Sequence, residues 1–262
     1  MNTSRQPNKE TSPLSPTRLE LSRKFILAEP LHQSPTSAVG TLADDRRFIE
    51  TLEAFIVKAE ARDLANLTLE TIGLPEAQRA EQWLWRSPNH WQDVFAVRIR
   101  SGFCVQLCSH AEQVAGEIAW RVAFILGDPD PNRTLKFDQP GFLKRARPFL
   151  DPHLGSGAAK FAEVWDSMEC LIEVRNALVH RQGRLKHRLD NDLAFAAFAA
   201  KLDGFEINDS FVALGAGSCA AMLHVVETFE VELARAYEQF REERGHQALG
   251  EGTKTASRRD KQ

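Results

Sequence analysis

An arginine, an asparagine and a histidine fall within six residues of one another in the run Arg175-Asn176-Ala177-Leu178-Val179-His180. Imidazole is the side chain best suited to moving a proton near neutral pH. A guanidinium presents a planar fork of donors that matches the oxygens of a phosphate. Asn176 and His180 are four residues apart, so on a helix they share a face and the amide can orient the ring. Proton transfer, anion clamping and orientation within two turns suit the cleavage of a phosphodiester.

The arginine also breaks a pattern. At about 100° per residue, with Met168 set at zero, Phe161, Val164, Trp165, Leu171, Ile172, Leu178 and Val179 make an apolar stripe centred near 350°, and Arg175 falls inside it at about 340°. A guanidinium is not taken out of water without a partner, because an unpaired buried charge costs several kcal/mol. Two readings follow. Arg175 either meets a carboxylate of its own chain, for which Glu112 on the preceding long helix is a candidate, or it meets an anion from outside.

The next residues add charge. From Arg175 to Arg188 the chain carries Arg175, Arg181, Arg184, Lys186 and Arg188, with His180 and His187 and no Asp or Glu. The whole chain has a net charge of −3, so contact with an extended polyanion such as RNA has to be local to this patch. The plainer reading is a solvated helix end whose cations complement the helix dipole.

These residues need a scaffold, and the dominant period of the chain is helical. Residues 1–40, rich in Ser, Thr, Pro and Gln, read as a flexible tail, as do residues 245–262, which leaves one domain over residues 41–244. In a first helix Phe48, Leu52, Phe55, Ile56 and Ala59 share one face. A short helix follows from Pro75 to Trp85. Ser87-Pro88 opens a long helix to Leu126, stopped by Gly127. A short helix over residues 140–150 leads to the motif helix, about residues 157–182, with Gly183 placed to end it. Residues 205–207 and 211–214 flank Asn208-Asp209-Ser210 as a small hairpin. The last helix, residues 218–243, presents Cys219, Leu223, Val226, Phe229, Leu233 and Phe240 to a core. The expected fold is an all-α, up-and-down helical bundle with a small β-hairpin before the last helix.

Other chemistry is excluded on simple grounds. No run of about 18 apolar residues suggests a membrane span, and no apolar stretch follows the N-terminal charges as in a secretory signal. Four scattered cysteines make no disulfide framework, so the cytosol is the expected compartment. Cys104 and Cys108, with His110 behind them, share an apolar face with Leu107, Ala111 and Val114 and read as core; no metal or cofactor is expected. Arg100 projects into the same stripe, where an ion pair suits it better than a second phosphate contact. The five tryptophans read as core or dimer-contact residues.

The run Val174 to Gly183 (VRNALVHRQG) resembles the signature of the HEPN superfamily, an Arg followed by a polar residue, four to six intervening positions and a His. The likeness in architecture extends from Phe48 to Phe240. It implies helical domains that dimerise so that two motifs face one cleft, many of them metal-independent endoribonucleases of toxin–antitoxin, phage-defence and RNA-processing systems. The resemblance implies that His180 transfers a proton, that Arg175 holds the scissile phosphate and that Asn176 orients His180 or the phosphate; Glu112, at the edge of its own helix's apolar stripe, is a candidate to position Arg175. The resemblance also implies a homodimer, RNA as substrate, and an antitoxin or defence partner. One toxin branch carries a tyrosine two residues after the histidine; here that position is Gln182, and the only tyrosine is Tyr237. The same residues also suit a helical binding module that holds RNA or a protein without cutting it.

Overall fold

The computed structural model describes residues 16–28, 42–86, 90–136, 139, 141–154, 159–186, 193–208 and 211–259. The helices are α1 (Pro16–Ala28), α2 (Ala43–Thr71), α3 (Glu76–Trp85), α4 (Val97–Leu126), α5 (Pro131–Leu135), α6 (Phe142–Leu154), α7 (Ala159–His180), α8 (Leu193–Ala199) and α9 (Ser218–Arg259). A π-helical segment, His90–Ala96, leads into α4, and an antiparallel hairpin of β1 (Phe205–Asn208) and β2 (Phe211–Leu214) precedes α9. The fold is therefore all-α with one small hairpin, as the periodicity predicts. Among the described residues no helix is long and apolar enough to cross a membrane.

The centre of the molecule is α4. Its residues Ala111, Ala115, Gly116, Ala119 and Ala123 are buried, and side chains this small let neighbouring helices approach closely. Opposite them α9 buries Cys219, Leu223, Val226, Phe229, Leu233 and Phe240, the stripe expected from its period. Arg100 lies near Cys219, His110 Nε2 lies 3.1 Å from Glu230 Oε2, and Arg121 faces Tyr237. These pairs ascend together, so α4 and α9 run in the same direction. Asp45 with Gln106, Glu53 with Arg100 and Asp63 with Trp91 descend together, so α2 runs against α4. Trp165 of α7 sets its ring edge-on to Phe229, with centroids 4.9 Å apart, and closes the core.

Four features differ from expectation. Residues 16–28, assigned above to a tail, form α1, and its Arg23 Nε donates to the Phe124 carbonyl at 3.0 Å. Helix α9 continues to Arg259, well past residue 243. On α2 the buried apolar residues are Ile49, Ile56, Ala59 and Leu67, so Phe48 and Phe55 are displaced to an open shoulder and are about half exposed. Helix α8 buries Phe195, Phe198 and Ala199 where no helix was expected. The capping pair Ser87-Pro88 lies outside the described residues.

Candidate phosphate-binding site

The motif helix ends as a tied structure. The N–H groups of Arg181 and Gly183 both donate to the Ala177 carbonyl, at 3.1 and 2.8 Å. The chain turns through positive φ at two positions, Gln182 (+53°) and Gly183 (+87°), so the left-handed turn begins one residue before the expected glycine. Gly183 cannot carry a side chain: a Cβ there would lie 2.9 Å from the Val212 carbonyl oxygen. Its own carbonyl accepts from Val212 N–H at 2.9 Å, and Arg184 bridges to Phe211. The hairpin therefore fixes where α7 stops.

The hairpin is fixed in turn by a buried arginine. Arg100, 2% exposed, forks onto Glu53 with Nε and Nη2 at 2.9 and 2.8 Å from the two carboxylate oxygens. Its Nη1 donates to the Leu214 carbonyl at 3.2 Å. The ion-pair reading of Arg100 holds, and the pair joins α2, α4 and β2.

Arg175 is arranged differently. Its side chain is 24% exposed, and its one ion pair among the described residues is with Glu112, Nη2 to Oε1 at 3.5 Å. Nε is buried and has no hydrogen-bond partner among the described residues. A guanidinium has five donor hydrogens, so one long contact leaves it mostly unused. Contact with Glu112 was one of the two readings of the sequence, but Arg175 is not sealed in the core. The buried face of α7 rotates along its length: Phe161, Trp165 and Met168 are buried on one side, whereas Leu171, Val174 and Ala177 are buried on another. Val179, placed with Arg175 in the apolar stripe by the wheel, is half exposed. The end of the motif helix thus turns Arg175, Asn176, Val179 and His180 towards an open edge.

Asn176 is half-buried and His180 exposed. On α4, Gly102, Val105 and Ser109 are exposed, and the half-buried Glu112 reaches Arg175. Cys104 and Cys108 lie beneath, fully buried. The Cys104 thiol is pushed far up from its ordinary range, first by its hydrogen bond with Cys108 and then by burial, with Arg175 opposing. This pair is core, as expected.

The basic patch is less free than its sequence suggests. Arg181 Nη2 lies 2.6 Å from Glu173 Oε1, and the same carboxylate oxygen accepts the Lys186 backbone N–H at 3.4 Å. The guanidinium of Arg184 stacks 5.1 Å over the Phe211 ring. Lys186 is exposed, and Arg188 lies outside the described residues. Glu173 and Phe211 are the partners that the sequence reading missed. Glu173 sits two residues before the acid-free window, and the alternation along β2 turns Phe211 outward. Tyr237 is fully buried on α9, far in sequence from the motif. No family model matches the chain, and no curated protein or solved structure is significantly similar to it.

Proposed function

We propose that the chain is an endoribonuclease of HEPN type that works without a metal, at a site shared by two subunits. The observation that carries this reading is the incompletely satisfied guanidinium of Arg175 at the open edge that also holds Asn176 and the exposed His180. Arg175 clamps the scissile phosphate and stabilises the charge that develops on it, and Glu112 keeps the guanidinium in place. His180 takes the proton of a ribose 2′-hydroxyl. The 2′-oxygen then attacks phosphorus, the bond to the 5′-oxygen breaks, and that oxygen leaves with a proton. The products are a 2′,3′-cyclic phosphate and a 5′-hydroxyl, and DNA is not cut because it lacks the nucleophile.

Two proton transfers are needed, and each chain brings one motif histidine, so a homodimer that sets the two motifs face to face supplies both. Lys186, Arg184 and Arg188 extend the contact to flanking phosphates, while Arg181 contributes less because Glu173 already holds it. A cytosolic toxin or phage-defence effector, held in check by an antitoxin or a defence partner, is the setting that the resemblance suggests. The test is to incubate purified protein and its His180→Ala variant with RNA in the presence of EDTA. Cleavage to cyclic-phosphate ends by the parent protein alone is the expected result. Equal cleavage by both proteins sinks the reading, and RNA binding without cleavage replaces it with a non-catalytic binding module.

A further inference from the structure

Far from the motif in sequence, the distal part of α2 and the whole of α3 form an arm that carries apolar residues in water. No residue of α3 is buried. Ile72, Leu84 and Trp85 are each about three-quarters exposed, Leu69 two-thirds, Val57 well over half and Leu64 more than a third. Single exposed apolar side chains are ordinary on a protein surface, but a concentration of this kind marks a contact.

The arm is also held rigid. Trp83 Nε1 donates to Thr71 Oγ1 at 3.3 Å, Arg86 pairs with Glu70, and Trp91 Nε1 donates to Asp63 Oδ2 at 2.6 Å. These contacts spend polar groups to fix a shape whose apolar side chains stay bare. Leu67 and Thr71 are buried, and Trp83 reaches Thr71 from α3. Leu69 lies two residues, about 200°, around α2 from Leu67. The bare residues therefore look out from more than one side of the arm. One flat surface cannot cover them, whereas an arm of the same kind laid alongside can.

We infer that the α2–α3 arm is a homodimerisation element, and that two copies of this chain clasp each other's arms about a two-fold axis. Three observations select a second copy. For side chains of this size the six residues expose roughly 700 Å² together, close to the share of about 800 Å² that one partner gives to a stable interface. Residues 57–86 carry four cations, Lys58, Arg62, Arg79 and Arg86, against five anions, Glu60, Asp63, Glu70, Glu76 and Glu81. A balanced, mixed surface suits self-association and gives no attraction to RNA or to an anionic membrane. Finally, among the described residues the end of the motif helix and the strand it meets expose few large apolar side chains, Val179 by half and Phe211 by 44%, and Arg184 stacks over the latter. That edge is too small to hold a dimer by itself, so a shared site needs area from elsewhere.

The inference gives the proposed ribonuclease its dimer, and it rests on that reading for its purpose but not for its test. Sedimentation equilibrium of the full chain over a range of concentrations reads it directly. The wild-type protein is expected at twice the chain mass of 29.4 kDa. A Leu84→Glu, Trp85→Gln variant is expected to weaken the dimer on the order of a hundredfold, with unchanged helical circular dichroism. Leu69→Gln with Ile72→Gln provides a second, independent disruption. A monomeric wild-type protein overturns the inference. So does a dimer that resists both arm variants and falls apart on Val179→Glu. RNA cleavage is scored separately: an arm-dependent dimer that cuts no RNA contradicts the ribonuclease reading alone, and a monomer that cuts RNA contradicts both the arm and the shared site while leaving the motif's chemistry standing.

Discussion

Two arginines occupy apolar stripes on neighbouring helices, and the fold treats them in opposite ways. Arg100 is buried, takes both oxygens of Glu53 and gives its remaining reach to a backbone carbonyl. Arg175 stands a quarter exposed, leans on Glu112 at 3.5 Å and leaves a buried Nε without an acceptor among the described residues. Sequence position alone makes the two residues alike, since each is a charge where a wheel wants a leucine. Partner geometry separates them. A saturated guanidinium is a structural clamp, whereas one held loosely at an opening has donors left for an incoming anion.

That contrast can be broken in several ways. The largest effect is expected on chemistry: Arg175→Ala and His180→Ala each lower RNA cleavage about a thousandfold with little change in melting temperature, as single-turnover assays would show. Substitutions at Arg100 are expected to do the reverse. Arg100→Leu strands Glu53 and the Leu214 carbonyl and costs about 3 kcal/mol, or roughly 6–12 °C in melting temperature. Adding Glu53→Leu should recover most of that loss, because an apolar pair replaces a buried ion pair at little net cost.

Between these extremes lies Gly183. Its positive φ and the Val212 carbonyl leave no room for a methyl group, so Gly183→Ala should cost about 2 kcal/mol in thermal or chemical unfolding and blur the seating of His180. The smallest effects concern the basic run. Lys186→Ala is expected to weaken RNA binding evenly across sequences and to reduce the salt dependence of affinity by about one ion. Arg181→Ala should change it less, because Glu173 already neutralises that charge.

Much of this arrangement was legible in the residues. The stripe of α9 was, because Cys219, Leu223, Val226, Phe229, Leu233 and Phe240 recur at steps of three, four and seven residues and every one of them is buried. The hairpin was, because apolar runs flank Asn208-Asp209-Ser210. The Arg175–Glu112 contact was also foreseen as one of two alternatives. Other features were hidden for physical reasons. A wheel assumes one buried face for a whole helix, but α7 changes neighbours along its length, so Val179 was placed inside and stands outside. Helix α8 is apolar on every side (LAFAAFA), which leaves no period to read. The Glu173–Arg181 pair forms across the end of a helix, where spacing rules lapse. The bare arm of α2 and α3 has the sequence of an ordinary amphipathic pair, and only the fold reveals that nothing in the described chain covers it.

The contrast between the two arginines is tested most directly by the Nε–Hε resonances of the protein labelled with ¹⁵N, assigned through Arg175→Lys and Arg100→Lys. The titrant is an RNA oligonucleotide that carries 2′-O-methyl groups and cannot be cut. The Arg175 signal is expected to shift and sharpen as a phosphate occupies its free donors, while the Arg100 signal stays in place. An Arg175 signal that does not move at saturating RNA would contradict the account.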